Sequence, residues 1–449
     1  MESTAPFELS QLQRAWIESD SGGSFDALFQ SALQRINSND AAETRGVLIV
    51  ETDPLAFAAA FFAAVYLQVP LALANPNWQT REWGEVEALL SPALIFGRAP
   101  LATDARELAV SAPTPGSILI PSGGSTGGVK FAVHRWGSLQ AACDGFQAFL
   151  GAGAVNSFCV LPLYHVSGLM QLLRSFCLGG RIAFGSMPQA VGGLCLSLVP
   201  TQLQRWMEDP QALKVLQEAR AIFVGGAPMS TALADPVRQL QLPIVLSYGM
   251  TETAAMVAAI PAVEFLSQPD LPSAASLPHV RIDILDGSGE LCAPGEVGRI
   301  RIQSRSLFEG YHGQPALDLA QGYLTDDLGR LDVAGGLTVL GRCDTLIISG
   351  GEKIDPRDVE RAILATGLAR EALALGQPDP EWGQKLVAFY VPVAEPIATK
   401  EWAQHLRPHL VNYKLPKIWI PVAALPLDEK GKVQPQRIAQ LIATHLESI

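Results

Sequence analysis

The chain carries little charge for its size, and no part of that charge gathers into a basic stripe. Only 17% of its 449 residues are Asp, Glu, Lys or Arg, and the formal net charge is −12. A nucleic-acid binder presents a basic face, so nucleic acid is not expected as a partner, and an anionic ligand has to be met by local donors. Cysteine is sparse and scattered: the six residues at 143, 159, 177, 195, 292 and 343 form no CxxC pair and no Cys/His cluster. Neither a zinc site nor a disulfide framework is expected, and reduced thiols suit the cytoplasm. The one long apolar run, PLAFAAAFFAAVYLQVPLALA, is broken at Pro70, and its uninterrupted part falls short of the ~20 residues a membrane span needs. The first residues, MESTAPFELSQLQRAW, have no basic segment followed by an apolar core, so no signal peptide is expected. Internal repeats and low-complexity segments are also missing.

What is present is apolar residues in quantity, 48% of a chain too long for one ordinary domain. Strand-like runs alternate with helical patterns through the first 260 or so positions: GVLIVE, the Ala-rich run, PLALA, ALIFG, SILIP, GSLQAACDGFQAFLG, SFCVLPL, GGRIAFG, AIFVGG and PIVLSYG. That rhythm predicts an α/β fold of parallel-type sheets covered by helices. From about residue 278 to 343 the strands shorten and are joined by Gly/Asp turns, as in VRIDILD, GEVGRIRIQ and GLTVLGR. A small antiparallel, β-barrel-like region fits them. Beyond it DPRDVERAIL predicts a helix with Asp355 as N-cap and Pro356 at its first position. KLVAFYVPV, KEWAQHLRPHL and RIAQLIATHL complete a small α+β domain. The expected division is therefore 1–343 and 344–449.

The chemistry concentrates first in PSGGSTGGVK, Pro121 to Lys130. Three readings compete. A nucleotide P-loop needs lysine directly after the last glycine and then Ser or Thr, but Val129 separates Gly128 from Lys130 and Phe131 follows. A serine-hydrolase elbow, G-x-S-x-G, is matched by Gly123, Ser125 and Gly127 after a strand. A third reading is an anion nest, in which successive backbone N–H groups, two hydroxyls and one ammonium hold phosphate.

Five further stretches extend the third reading. They are FVGGAP (Phe223 to Pro228), LSYGMTE, YLTDDLGRLD, LGRCDTLIISGGEKIDPRDVE and LPLDEKGKVQPQRI. Together with the glycine loop they resemble, in order, the motifs of the adenylate-forming superfamily of acyl-CoA synthetases, luciferases and peptide-synthetase adenylation domains. The loop resembles T-S-G-[ST]-[ST]-G-x-P-K over Ser122, Gly124, Ser125, Thr126, Gly127 and Lys130, with Gly123 where serine is usual and Val129 where proline is usual. The resemblance implies ATP, Mg2+ and coenzyme A. It puts the loop on the β- and γ-phosphates and Gly225, Gly226 and Ala227 on adenine. Tyr248, Gly249 and Met250 belong to the same nucleotide site, with Thr251 at the α-phosphate and Glu252 as the metal ligand. It puts Asp327 and Arg342 on the ribose, Asp344 at an interdomain hinge and Gly350 and Gly351 beside a pantetheine tunnel. Lys432 falls on the catalytic lysine. Asp326 replaces a usual glycine.

Two more stretches, LPLYHVSGL and LVPTQLQRW, look like those of the o-succinylbenzoate–CoA ligases of menaquinone and phylloquinone synthesis. That resemblance implies an aromatic acid with two carboxylates, His165 in its pocket, and Arg174 or Arg205 as donor to the spare carboxylate. Alternatives are another aromatic or aliphatic acyl-CoA synthetase, a serine hydrolase using the elbow-like motif, or a non-catalytic nucleotide binder. Each residue also has a plainer role open to it: Glu252 as a helix-terminus carboxylate, Asp327 as a turn cap, Arg342 as a surface ion-pair partner. A homodimer is compatible with the sequence.

If Lys432 neutralises phosphate charge in the first half-reaction only, Lys432→Ala will lower acyl-adenylate formation on the order of 10²–10³-fold. Thioester formation from supplied adenylate will persist. Equal loss in both half-reactions, measured by single turnover, removes the assignment.

Overall fold

The computed structural model describes residues 5–19, 23–104, 110–123, 128–151, 153–185, 192–227, 229, 231–268, 273–343, 347–349, 352–379, 382–408, 410–427 and 433–447. The chain divides into two compact units, Met1–Thr325 with Arg330–Thr338, and Asp326–Gly329 with Val339–Ile449.

The first unit holds a five-stranded and an eight-stranded sheet. The five-stranded sheet runs in the order Leu94–Gly97, Val47–Val50, Leu71–Leu73, Ile118–Gly123, Val129–His134. Its first four strands are parallel and its last is antiparallel. The eight-stranded sheet runs Ile17–Ser19, Ile182–Phe184, Ser157–Cys159, Cys195–Leu198, Ala221–Val224, Ile244–Met250, Ala255–Ile260, Ala275–Ser276. It is parallel through its sixth strand and antiparallel beyond it. These are the parallel sheets that the alternating pattern predicted. Five strands of these sheets are not among the runs read from the sequence: Ile17–Ser19, Val129–His134, Cys195–Leu198, Ala255–Ile260 and Ala275–Ser276. Ile17–Ser19 is three residues long, and Val129–His134 follows directly on the glycine loop, with Lys130 as its second residue.

The Ala-rich run forms the helix Pro54–Tyr66. Asp53 caps it by accepting the Ala56 N–H at 2.8 Å, and Pro54 occupies the first turn, where no donor is lost. Every residue from Phe57 to Val65 is buried. A helix apolar on all sides belongs inside a protein, and this one shares a core with Ile49, Leu73 and Ile120 of the five-stranded sheet and with Cys159 and Ile182 of the eight-stranded sheet. No helix among the described residues is long and apolar enough to cross a membrane.

Val280–Leu285 and Gly298–Ser304 pair antiparallel and begin a four-stranded sheet continued by Tyr323–Leu331 and Leu337–Arg342. The division between the two units falls within these last two strands. The second unit also contains a five-stranded sheet in which Gly383–Pro392 pairs with Ala369–Asp379, Ile347–Ser349 and Ile418–Pro421. The helix Pro356–Ala365 starts where its sequence indicated, with Asp355 accepting the Arg357 N–H at 3.0 Å. Trp402 and Trp419 stack in its core, with ring centroids 4.5 Å apart.

One buried histidine ties the two sheets of the first unit together. His134 ends the strand Val129–His134 and is fully buried. Its Nε2 lies 2.8 Å from the Thr251 carbonyl and its Nδ1 lies 3.0 Å from Ser138 Oγ. A carbonyl only accepts, so Nε2 carries the proton. Burial depresses the ring's pKa from 6.5 to about 4, against a smaller opposing effect of the Thr251 carbonyl. The neutral ring therefore contributes stability fully above pH 6.5, and this contribution is lost as the pH falls toward about 4. Its slope approaches 1.4 kcal/mol per pH unit inside that window. His134→Gln will flatten the fall in Tm across the window, read by thermal melts at several pH values. An unchanged slope contradicts the assignment.

Candidate active site

The glycine loop joins two antiparallel strands of a hairpin. Ile118–Gly123 leads into it, Val129–His134 leads out, and Ser122 pairs with Lys130. A nucleophile elbow and a P-loop both pass from a strand into a helix. Here the next element is a strand, so the elbow loses the structural context it needs. Gly124, Ser125, Thr126 and Gly127 lie outside the described residues, as do Asp344, Gly350, Gly351 and Lys432.

The hairpin reaches the YGMTE segment through one carboxylate. The Ser122 hydroxyl donates to Glu252 Oε1 at 2.7 Å, and the Tyr311 hydroxyl donates to the same oxygen at 2.6 Å. Glu252 is buried, and its backbone carbonyl accepts the Phe308 N–H at 2.9 Å. Lys130 Nζ stands 5.4 Å from the Tyr311 ring centroid, a cation–π contact. Tyr311 is held in place because its segment runs along the edge strand: Glu309 N–H donates to the Val133 carbonyl and His312 N–H to the Phe131 carbonyl. Burial, followed by the Glu252 charge, pushes the Tyr311 hydroxyl well above its ordinary pKa, so it remains a donor.

Among the described residues no cluster of three or more His, Cys, Asp or Glu could enclose a metal by itself. Glu252 nevertheless fits Mg2+. It is a buried carboxylate with no ion-pair partner among the described residues, and both hydroxyl donors fall on one oxygen, Oε1. A cation that takes one carboxylate and completes its shell with phosphate oxygens and water needs no more from the protein.

The turn around Glu252 is strained. Thr251–Thr253 forms a single 3₁₀ turn, and the next two residues, Ala254 and Ala255, have φ of +52° and +78°. Such angles cost a non-glycine residue roughly 1–2 kcal/mol each. The Thr253 hydroxyl offsets part of this by donating to the Ala255 carbonyl at 2.6 Å and accepting the Met250 N–H at 3.1 Å. Gly249 sits at a bulge where a Cβ would lie 1.9 Å from the Ala255 carbonyl oxygen, so no larger residue fits.

The remaining motifs lie along the carboxyl ends of parallel strands. Gly225, Gly226 and Ala227 follow Ala221–Val224, and the neighbouring strand Ile244–Met250 carries Tyr248, Gly249 and Met250. Ser247 Oγ donates to the Val224 carbonyl at 3.2 Å. Chain order reverses beside Ser157–Cys159: the next strand in sequence lies on one side of it and the following one, Cys195–Leu198, on the other. In such sheets the crevice between strands whose connections leave in opposite directions receives the ligand. PLYHVSGL follows the first of these two strands and VPTQLQRW follows the second.

His165 is not on the strand itself. It precedes the helix Val166–Cys177 as N-cap, with extended backbone, and its ring lies 4.7 Å from that of Tyr164. Gly168 lets this helix fold back onto the preceding loop, since a Cβ there would lie 2.2 Å from the Pro162 carbonyl oxygen. Arg174 lies on the same helix nine positions beyond His165, about 13 Å along the axis at 1.5 Å per residue. It is buried, with its guanidinium 4.0 Å from the Phe146 ring centroid, and burial lowers its pKa to about 10. Arg205 is exposed on the helix Pro200–Glu208, which starts at the crevice.

In the second unit Asp327 lies on Tyr323–Leu331, and Arg342 ends Leu337–Arg342. Arg342 Nη2 lies 3.3 Å from Asp326 Oδ2, so the aspartate that replaces the usual glycine pairs with the arginine. Tyr311, Thr253 and His134 are the functional neighbours that sequence reasoning missed. The run SLFEGYHGQ held a signal for the first, a tyrosine between two glycines.

The family model of the AMP-binding enzymes matches residues 103–312, and that of the AMP-binding enzyme C-terminal domain matches residues 358–432. The 2-succinylbenzoate–CoA ligase of Bacillus velezensis is 30% identical over 338 residues, which cover 72% of this chain and 68% of the relative. The enzyme of the same name from Enterococcus faecalis is 30% identical over 341 residues, covering 72% and 68%. The o-succinylbenzoate CoA synthetase MenE of Bacillus subtilis, solved with the acyl-adenylate intermediate OSB-AMP, has the same fold. Its TM-score is 0.77 at 22% identity, over 96% of this chain and 97% of that one. ATP-bound MatB of Rhodopseudomonas palustris matches with a TM-score of 0.80 at 20% identity, over 95% of both chains. The ordered motifs, the sheets that carry them and these relatives agree: the chain belongs to the adenylate-forming AMP-binding enzymes and, among them, to the family of 2-succinylbenzoate–CoA ligases.

Proposed function

We propose that the protein activates o-succinylbenzoate with ATP to an acyl-adenylate and transfers the acyl group to coenzyme A, releasing pyrophosphate and AMP. The observation that carries the choice of acid is the crevice of the eight-stranded sheet, because both stretches that resemble o-succinylbenzoate–CoA ligases open onto it. In the first half-reaction the aliphatic carboxylate attacks the α-phosphate and the bond to the pyrophosphate oxygen breaks. In the second the coenzyme A thiolate attacks the acyl carbon and AMP leaves.

The chain's own groups suit this order. Ser122, Lys130 and the loop Gly124–Ser125–Thr126–Gly127 hold the β- and γ-phosphates. Thr251 faces the α-phosphate, and Glu252 presents its carboxylate to the metal. Mg2+ supplies charge neutralisation on the phosphates when bound. Gly225 to Ala227 and Tyr248 to Met250 flank adenine, Asp327 and Arg342 take the ribose hydroxyls, and Lys432 acts in adenylation. Two chemistries in one site call for residues 344–449 to turn about Asp344 between steps, bringing Gly350 and Gly351 to the pantetheine. Free ATP, coenzyme A and six cysteines that form no disulfide suit the cytoplasm. None of these steps needs a second copy of the chain, so a homodimer would be a separate property.

His165 opens the pocket for the keto-acid, where an imidazole can hydrogen-bond and pack on a ring. For the spare carboxylate Arg205 is favoured over Arg174, which lies two and a half helical turns from His165 with its cation over Phe146.

The test of the whole reading is acid-dependent pyrophosphate release against a panel of o-succinylbenzoate, benzoate and straight-chain fatty acids. The first should be strongly preferred, because a site built to pair a polar group rejects analogues lacking it. A better fatty acid or benzoate substrate would leave the family standing and remove the acid. Arg205→Ala should raise KM for o-succinylbenzoate about tenfold or more, as expected for a lost charge-assisted hydrogen bond, while KM for ATP stays put. Arg174→Met should leave both unchanged. The reverse pattern would reassign the donor. Tyr311→Phe keeps the ring against Lys130 but leaves Ser122, among the described residues, as the remaining donor to Glu252 Oε1. The Mg2+ concentration for half-maximal rate should rise several-fold at constant KM for the acid. No change would make Tyr311 a bystander.

A further inference from the structure

The position just before Lys130 departs from the motif it resembles, and the structure holds a counterpart to that departure. Where proline is usual, Val129 has a backbone N–H. That N–H donates to Glu85 Oε2 at 2.7 Å. Glu85 belongs to the helix Thr80–Leu89, and its other oxygen accepts from Arg81 Nε at 3.2 Å. The helix is fixed against the hairpin by apolar packing: Trp83 and Val86 share a core with Leu119 and Phe131, and Val129 packs against it. The Trp78 ring bridges the two, with centroids 5.4 Å from Trp83 and 6.4 Å from Phe131. The carboxylate is thus delivered from a rigid element to the second leg of the glycine loop. Oε2 also lies 3.7 Å from where a Cβ on Gly128 would stand.

The hydrogen bond costs the sheet nothing. Val129–His134 is the edge strand of its sheet, and alternate N–H groups point away from the ladder. The Val133 N–H leaves the ladder for the Gly310 carbonyl, and the Val129 N–H, four residues earlier on the same side, leaves it for Glu85. A proline at 129 would therefore break no ladder bond, which is where a strand tolerates proline. A ring that fixes φ restrains the backbone covalently. An N–H held by an oriented carboxylate restrains it by hydrogen bonding.

We propose that Glu85, oriented by Arg81, is a positioning residue for phosphate binding: it fixes the backbone at Val129 and thereby aims Lys130, in place of the missing proline. The inference rests on the proposed reading of the loop as the phosphate grip. It also explains an otherwise costly choice, a carboxylate placed where a polyanion is to bind. Repulsion would weaken ATP binding, so the anchor must be worth more than the repulsion it brings.

A double-mutant cycle on the full-length protein tests this, with the Kd for MgATP measured by calorimetry without acid and KM for ATP measured by pyrophosphate release. Glu85→Ala should weaken MgATP roughly three- to tenfold, the size of one partly exposed hydrogen bond to a carboxylate. KM for the acid at saturating ATP should not move. Glu85→Gln keeps an acceptor without the charge and should restore most of the affinity. In the Val129→Pro background, where no N–H exists, Glu85→Ala should no longer weaken MgATP and, with the repulsion relieved, should tighten it slightly. Equal weakening in both backgrounds, or tighter binding in both Glu85→Ala and Glu85→Gln, would overturn the anchor. If Val129→Pro does not fold, Arg81→Ala replaces it: freeing Glu85 should weaken MgATP in the same direction but less, and an unchanged Kd would count against the proposal. Wild-type protein that fails to bind ATP would sink the phosphate-loop reading itself, whereas ATP binding that ignores Glu85 would sink only this inference.

Discussion

The site depends on one carboxylate oxygen. Glu252 Oε1 receives hydroxyl protons from Ser122, 130 residues earlier in the chain, and from Tyr311, 59 residues later. A buried carboxylate is tolerated only when its lone pairs are satisfied, and here the groups that satisfy it are the ones to be assembled. The glycine hairpin, the strained turn after Tyr248–Gly249 and the edge segment around Tyr311 meet at this carboxylate through the Ser122 and Tyr311 hydroxyls. His134 reinforces the arrangement from beneath by linking the hairpin strand to the Thr251 carbonyl. Polar contacts of this kind add little net stability but are expensive to leave half made. They therefore specify geometry more than they hold the fold together. The holding falls to the apolar core around the helix Pro54–Tyr66.

Much of this was legible in the sequence, and the limit of legibility has a physical origin. Parallel strands buried on both faces appear as short β-branched runs, and GVLIVE, AIFVGG and PIVLSYG became strands where they were expected. Motifs that wrap a nucleotide use local backbone geometry, so they survive as contiguous strings. Tyr311 and Glu85 act through contacts to residues far along the chain, and nothing in their neighbours announces the partner. The strand Val129–His134 was hidden for another reason. Its first residues, Val129 and Lys130, share a stretch with loop glycines, and glycine together with charge lowers any strand signal. Once the strand is seen, the choice among three readings of the glycine loop becomes simple, because only the anion nest is at home in a hairpin.

Arg174 shows the converse. The sequence offers two arginines near the acid-binding stretches and cannot rank them, because helical spacing alone does not say which lies at the crevice. The fold separates them: Arg174 enters the core at the far end of its helix, and Arg205 rides on a helix that begins at the crevice. Likewise the sequence shows only that Asp326 stands where glycine is usual. In three dimensions it is an ion-pair partner for Arg342 and competes with whatever else that guanidinium would hold.

The N-terminal segment has a consequence for how the chain is made. Ile17–Ser19 is an outer strand of the eight-stranded sheet and, among the described residues, pairs with Ile182–Phe184. Arg14 Nη2 donates to the Ser175 and Phe176 carbonyls, the first of them 161 residues further along. Trp16 and Phe7 meet Phe176 in the same aromatic cluster. A ribosome adding 5–20 residues per second needs on the order of ten to thirty seconds to cover that distance. For that long, the segment around Trp16 is without the sheet it pairs with, and a holding chaperone would have its best opportunity there.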